Sequence, residues 1–124
     1  MAKIASRLTK SELEILETMW EYGKPITATN ITKTAINKTW KSSSIHILIN
    51  SLLDKKLIEV AGFEKTTKNY ARKFQPVLPR NEFMLQEMLF NFNNSAEVLF
   101  DALIKMSSKE DLILAKAKIE KRLS

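Results

Sequence analysis

The sequence predicts a mainly α chain with one small β-hairpin: three helices, the hairpin, then three more helices. Three observations predict it. Apolar residues recur at helical spacing on both sides of a short stretch, residues 57–74, where they alternate or become β-branched. Gly and Pro, present as only 2 and 3 copies, fall where those patterns break. Charge is divided unevenly: residues 1–78 hold 13 Lys/Arg against 7 Asp/Glu, the whole +6 excess, and residues 79–124 hold 7 of each. The division implies a basic module, 1–78, facing a polyanion and a neutral module, 79–124, facing something else.

The first helix starts at Leu8-Thr9-Lys10-Ser11-Glu12-Leu13. Thr9 can cap it and Glu12 completes a capping box, with Leu8 and Leu13 at the staple positions. Leu13, Leu16, Met19 and Trp20 give it an apolar face, and Tyr22-Gly23-Lys24-Pro25 ends it. Thr27 or Thr29 opens a second, shorter helix running to about Asn37, with Ile31, Ala35 and Ile36 as apolar positions. Ser42, Ser43 and Ser44 are candidate caps for a third helix, whose buried face reads Ile45, Leu48, Ile49 and Leu52 at i, i+3, i+4 and i+7. It ends near Asp54-Lys55-Lys56.

Leu57 to Val60 reads as a strand, Gly62 to Lys68 as a polar turn, and Asn69 to Phe74 as the returning strand, closed by Pro76 and Pro79. Beyond Pro79 the pattern is helical throughout. Asn93-Asn94-Ser95 separates a fourth helix from a fifth, and Ser107-Ser108-Lys109-Glu110 reads as a capping box opening a sixth.

Several function classes are excluded or disfavoured. The chain has no cysteine, so disulfides, thiol catalysis and cysteine-ligated metal are out. Two glycines cannot build a phosphate-cradling loop. His46, the one histidine, follows a serine run that reads as a capping sequence before it reads as a triad, and no metal-ligand partner stands near it. No enzyme activity, metal or cofactor is expected. No apolar run approaches the roughly 20 residues that span a bilayer, so no membrane insertion is expected and the cytoplasm is the expected location.

Helix, helix, helix, hairpin is the order of a winged helix-turn-helix. In that arrangement the first two helices support a third that enters the DNA major groove, and a basic hairpin lies along the phosphates. Subtracting the buried face of the third helix leaves Ser43, Ser44, His46, Ile47, Asn50 and Ser51 as candidate base contacts. Ser, His and Asn can hydrogen-bond base edges, and Ile47 can meet a thymine methyl. Lys41 and Lys55 flank that helix, and Lys65, Lys68, Arg72 and Lys73 make the hairpin basic; these six are the candidate phosphate contacts. Trp20 and Trp40 are read as core.

The C-terminal helical segment carries more apolar residues than about 45 residues can bury alone. Phe83, Met88, Leu89, Phe92, Leu99, Leu103, Ile113 and Ile119 are the candidate dimerisation residues. A two-fold dimer would set two third helices on a palindromic duplex.

These pieces together resemble the penicillinase-repressor family, the BlaI/MecI/CopY group of winged-helix repressors. The resemblance runs from Leu8–Leu16 and Met19-Trp20 through Trp40, the Ile45/Leu48/Ile49/Leu52 face and Lys55-Lys56-Leu57-Ile58 to Phe74-Gln75-Pro76-Val77. It implies a homodimer that binds operator palindromes and represses β-lactam-resistance or copper-homeostasis genes. Without cysteine, copper sensing through cysteine pairs is excluded, and the BlaI/MecI branch fits better. In that branch a membrane sensor-protease pathway leads to cleavage of the repressor. The scissile Asn–Phe bond of relatives aligns approximately with Phe100-Asp101, while Asn91-Phe92 carries the dipeptide several residues earlier. The chain departs from the family pattern in the recognition helix. A common Thr-Ile-x-Thr is Ser44-Ile45-His46-Ile47, a typical Arg is Ser51, and the usual terminal glycine is Lys56. Two alternatives stay open: a MarR-like or other winged-helix regulator responding to a small ligand, and a winged-helix module for protein–protein contact.

Overall fold

The computed structural model describes residues 8–36, 38–91, 93 and 95–124. Helix α1 is Lys10–Tyr22. Its start is fixed by the expected capping box: the Thr9 hydroxyl accepts the Glu12 N–H at 3.1 Å, and the Glu12 carboxylate accepts the Thr9 N–H at 2.9 Å. Its end is fixed by Gly23, whose φ of 78° lets the N–H turn back onto the Met19 carbonyl.

Strand β1, Ile26–Thr27, was not expected. It pairs with the returning strand of the hairpin, Ile26 opposite Phe74 and Thr27 opposite Lys73. The hairpin is therefore part of a three-stranded antiparallel sheet, ordered β1-β3-β2, with β2 Ile58–Lys65 and β3 Tyr70–Pro76. A two-residue strand shows no alternation, which is why its sequence does not announce it. Thr27 then caps α2, Ala28–Thr34, by accepting the Asn30 N–H. This helix stops short of Asn37, which lies outside the described residues. Ile36, expected as an apolar position of this helix, lies beyond the helix end and is 84% exposed.

Ser42–Ser44 form a 3₁₀ turn leading into α3, Ile45–Asp54. The serines make no side-chain cap bond to the helix, contrary to their expected role. Ile45, Ile49 and Leu52 are buried as expected and Leu48 is partly buried. The C-terminus closes in a Schellman arrangement: the Leu57 N–H reaches the Leu52 carbonyl and the Lys56 N–H reaches the Leu53 carbonyl, both at 3.0 Å.

The core gathers Ile15, Leu16 and Met19 of α1, Ile31 of α2, the α3 face, and Ile58 and Phe74 of the sheet, with Trp40 closing it. The Trp20 indole packs beside the core and donates to the Leu78 carbonyl at 2.9 Å. Helices α4 Arg80–Asn91, α5 Ala96–Met106 and α6 Lys109–Leu123 follow. Ser108 caps α6, accepting the Asp111 N–H rather than pairing with Glu110.

The chain separates into two compact units, one reaching Glu87 and the other running from Met88 to Ser124. The first extends past residue 78 because Phe83 belongs to its core, 4% exposed and 5.4 Å from the Trp20 ring. Among the described residues of the second unit only Leu99 is buried. No helix among the described residues is long and apolar enough to cross a membrane.

Candidate nucleic-acid interface

Helix α3 is held from behind by two carboxylates of α1. Glu12 is 1% exposed. Besides capping its own helix, it accepts the Ser51 hydroxyl on one oxygen and the Lys55 ammonium on the other, the latter at 2.6 Å. Burial alone pushes its carboxyl up; the Lys55 ammonium, the Ser51 hydroxyl and the Thr9 N–H outweigh that and hold it at about 2. Two residues on, Glu14 accepts the Thr39 N–H at 2.9 Å and its hydroxyl at 3.1 Å, which fixes the segment entering α3. One α1 carboxylate thus grips the chain before α3 and the other grips its last turn.

This clamping sorts the expected base-contact residues. Ser43, His46, Ile47 and Asn50 lie exposed on the side of the turn and helix opposite Ile45, Ile49 and Leu52, with Ile47 at 73% exposure. Ser44 is half-buried. Ser51 points inward to Glu12, so its hydroxyl is engaged inside the fold and leaves the exposed set. Lys55 leaves the phosphate set for the same reason. Lys41, just before the turn, stays exposed.

The wing is β2, β3 and the tip between them. The tip is tied by the Thr66 N–H and hydroxyl donating to the Asn69 carbonyl, at 2.7 and 2.8 Å. Lys65, Lys68 and Arg72 are exposed. Lys73 is half-buried and 3.8 Å from Glu64, so its charge is partly answered within the hairpin. Among the described residues no cluster of His, Cys, Asp and Glu could hold a metal ion.

The penicillinase repressor family model matches residues 8–121. The chain belongs to that family. The family and its fold are those of DNA-binding transcriptional regulators, which places the exposed face of α3 and the wing in a winged-helix repressor. Among solved structures, the adhesin competence repressor from Streptococcus pyogenes superposes with a TM-score of 0.44 at 13% identity, over 95% of this chain and 80% of that one. A glycine-to-lysine variant of MepR from S. aureus gives 0.45 at 18% identity, over 94% and 78%. Likeness at that level adds nothing to the family assignment. No curated protein matches the chain.

Glu12 and Glu14 are the residues that sequence reasoning missed as supports of α3. Glu12 carries a strong local signal, the capping box, which accounts for it fully at the level of sequence. Its partners lie 39 and 43 residues away, and local spacing says nothing about them.

Proposed function

We propose that the chain is a homodimeric repressor that reads a palindromic operator with α3 and grips the flanking phosphates with the wing. The observation that carries the reading is the two-sidedness of α3. Ile45, Ile49 and Leu52 are locked into the core, while Ser43, His46, Ile47 and Asn50 stand free to face base edges. Lys41, Lys65, Lys68 and Arg72 are the phosphate contacts of this reading.

The second unit is the dimerisation unit of this reading. Leu103, Ile113 and Ile119 are 56%, 60% and 53% exposed, and Met88 is 48% exposed. Apolar surface of that extent is covered in use, and a second copy covers it while placing a second α3 on the other half-site. Leu89 is half-buried and Leu99 buried, leaving them a smaller share. Phe83 is spent in the first core and drops out, and Phe92 lies outside the described residues.

The regulated genes of this reading are β-lactam-resistance genes, with induction by cleavage downstream of a membrane sensor-protease. Phe100 and Asp101 are exposed but sit inside α5, so cleavage there requires local unwinding of that helix. Cutting α5 would detach the rest of the dimerising surface from the DNA-reading unit.

The test is a binding titration of the full chain on a site selected from a randomised duplex pool, with random duplex as the control. His46→Ala and Asn50→Ala each weaken the selected site by about 1–3 kcal/mol and random duplex by much less. Equal losses on both would remove α3 from base reading.

A further inference from the structure

The two faces of the wing differ in chemistry, and a bulge makes them differ. Val60 stands opposite Phe74 and Gly62 opposite Lys73, so β2 carries one residue more than β3 at Ala61. Gly62, with φ at 151°, takes the backbone conformation that the irregularity needs. In a regular strand, alternation from Val60 would put Glu64 on the face of Phe74, and Phe63 and Lys65 on the other. The extra residue reverses this. Phe63 now pairs with Arg72 and Lys65 with Tyr70, all on the face that carries Phe74. Glu64 moves to the opposite face, beside Lys73.

On that opposite face polar groups answer one another: Glu64 with Lys73 at 3.8 Å, and Glu59 with Gln75 at 2.7 Å. The Phe74 face, outside the core, has two aromatic side chains, each 64% exposed, alternating with two cations and no carboxylate. The Arg72 guanidinium lies 5.1 Å from the centre of the Phe74 ring, which orders it.

We propose that this aromatic–cation face of the wing is a duplex-DNA contact in its own right. In it Phe63 and Tyr70 pack against the deoxyribose walls, and Lys65 and Arg72 take the adjoining phosphates. The assignment rests on the repressor reading above and extends it from charge alone to apolar contact. Charge selects the occupant. A polyanion satisfies Lys65, Arg72 and the tip residue Lys68 together, whereas a second copy docked by the same face would set cation against cation. Aromatic contact with the sugar–phosphate backbone is indifferent to sequence, and it releases no counterions.

The experiment uses the full chain and a random-sequence duplex of about three helical turns, titrated over a range of salt. Phe63→Thr and Tyr70→Thr keep strand propensity and remove the rings. Each is expected to lower affinity by roughly tenfold and leave the slope of affinity against salt unchanged. Lys65→Ala is expected to shallow that slope by about one unit. Thermal unfolding and sedimentation of the ring variants match those of the parent. Unchanged affinity in both ring variants overturns the proposal, and so does a changed sedimentation coefficient with unchanged DNA binding, which would assign the face to a protein partner. If the parent chain binds no duplex, the repressor reading itself fails, and this assignment with it.

Discussion

The two units use amphipathic helices to opposite ends. In the first, the core-facing sides of α1, α2 and α3 are answered by other elements, and Ile15, Ile31 and Leu52 are each at 0% exposure. In the second, α5 and α6 are as clearly patterned, yet Leu103 and Ile113 remain more than half exposed. Periodicity dictates that a segment is a helix and which side is apolar; it does not dictate what covers that side. A unit that closes its own core is a folding unit. One that leaves such a surface open supplies half of the interface in the proposed dimer.

Separating the units gives the largest expected effect. A fragment of residues 1–91, which keeps all of α4, should unfold cooperatively as a monomer, because the first core is complete. Its affinity for the selected palindrome should fall by about a hundredfold or more, since two half-site readers no longer share one effective concentration. A fragment of residues 1–78 loses Phe83 from against Trp20 and should be less stable than 1–91 by about 3–5 kcal/mol. Sedimentation, urea unfolding and DNA titration of both fragments check this. A 1–91 fragment that dimerises, or binds the palindrome as tightly as the whole chain, would break the contrast between the units.

Next in size is the Glu12 clamp, which belongs to the self-sufficient unit. Glu12→Gln keeps a side chain suited to the capping box but removes the buried carboxylate charge from beside Lys55. A loss of about 3 kcal/mol in unfolding free energy is expected. The pH dependence follows from the carboxyl, ordinarily at 4.5 and held at about 2 in the fold. Between those values the unfolded chain binds more protons than the folded one, so stability rises with pH. The contribution is complete above about 4.5 and is lost as pH falls toward 2. The parent should therefore lose stability in that window faster than Glu12→Gln does. Parallel curves would mean that the clamp contributes nothing.

What was legible follows the same division between local and distant causes. The α1 cap, the buried Ile45/Ile49/Leu52 face and the end of α1 at Gly23 are set by neighbours in sequence, and all three stand as expected. The exposed residues of α3 were found by subtraction, which works only where nothing distant recruits them. Ser51 and Lys55 show the failure, since a buried carboxylate on another helix claims both. Strand β1 and the role of Phe83 in the first core were hidden for the same reason. Each is defined by a partner far along the chain, Phe74 for one and Trp20 for the other. The wing was legible as a hairpin but not in its faces, because a single bulge reassigns every side chain beyond it.

The smallest expected effect sharpens the view of α3 as a helix whose end is set locally. Lys56 has φ at 60°, the left-handed conformation that closes the Schellman turn. A Cβ is disfavoured there, by about 1–2 kcal/mol per residue in the left-handed helical region. Glycine removes that penalty but gives back part of it through the greater freedom of the unfolded chain. The net expectation for Lys56→Gly is a gain of about 0.5–1 kcal/mol, read as a higher urea midpoint with an unchanged slope. Lys56 is exposed, so no packing is lost to mask the gain. Measuring the same variant on random duplex separates two roles. If stability rises and affinity holds, the lysine is a tolerated strain at a position suited to glycine. If affinity falls with a shallower salt slope, the strain is kept because the ammonium meets a phosphate.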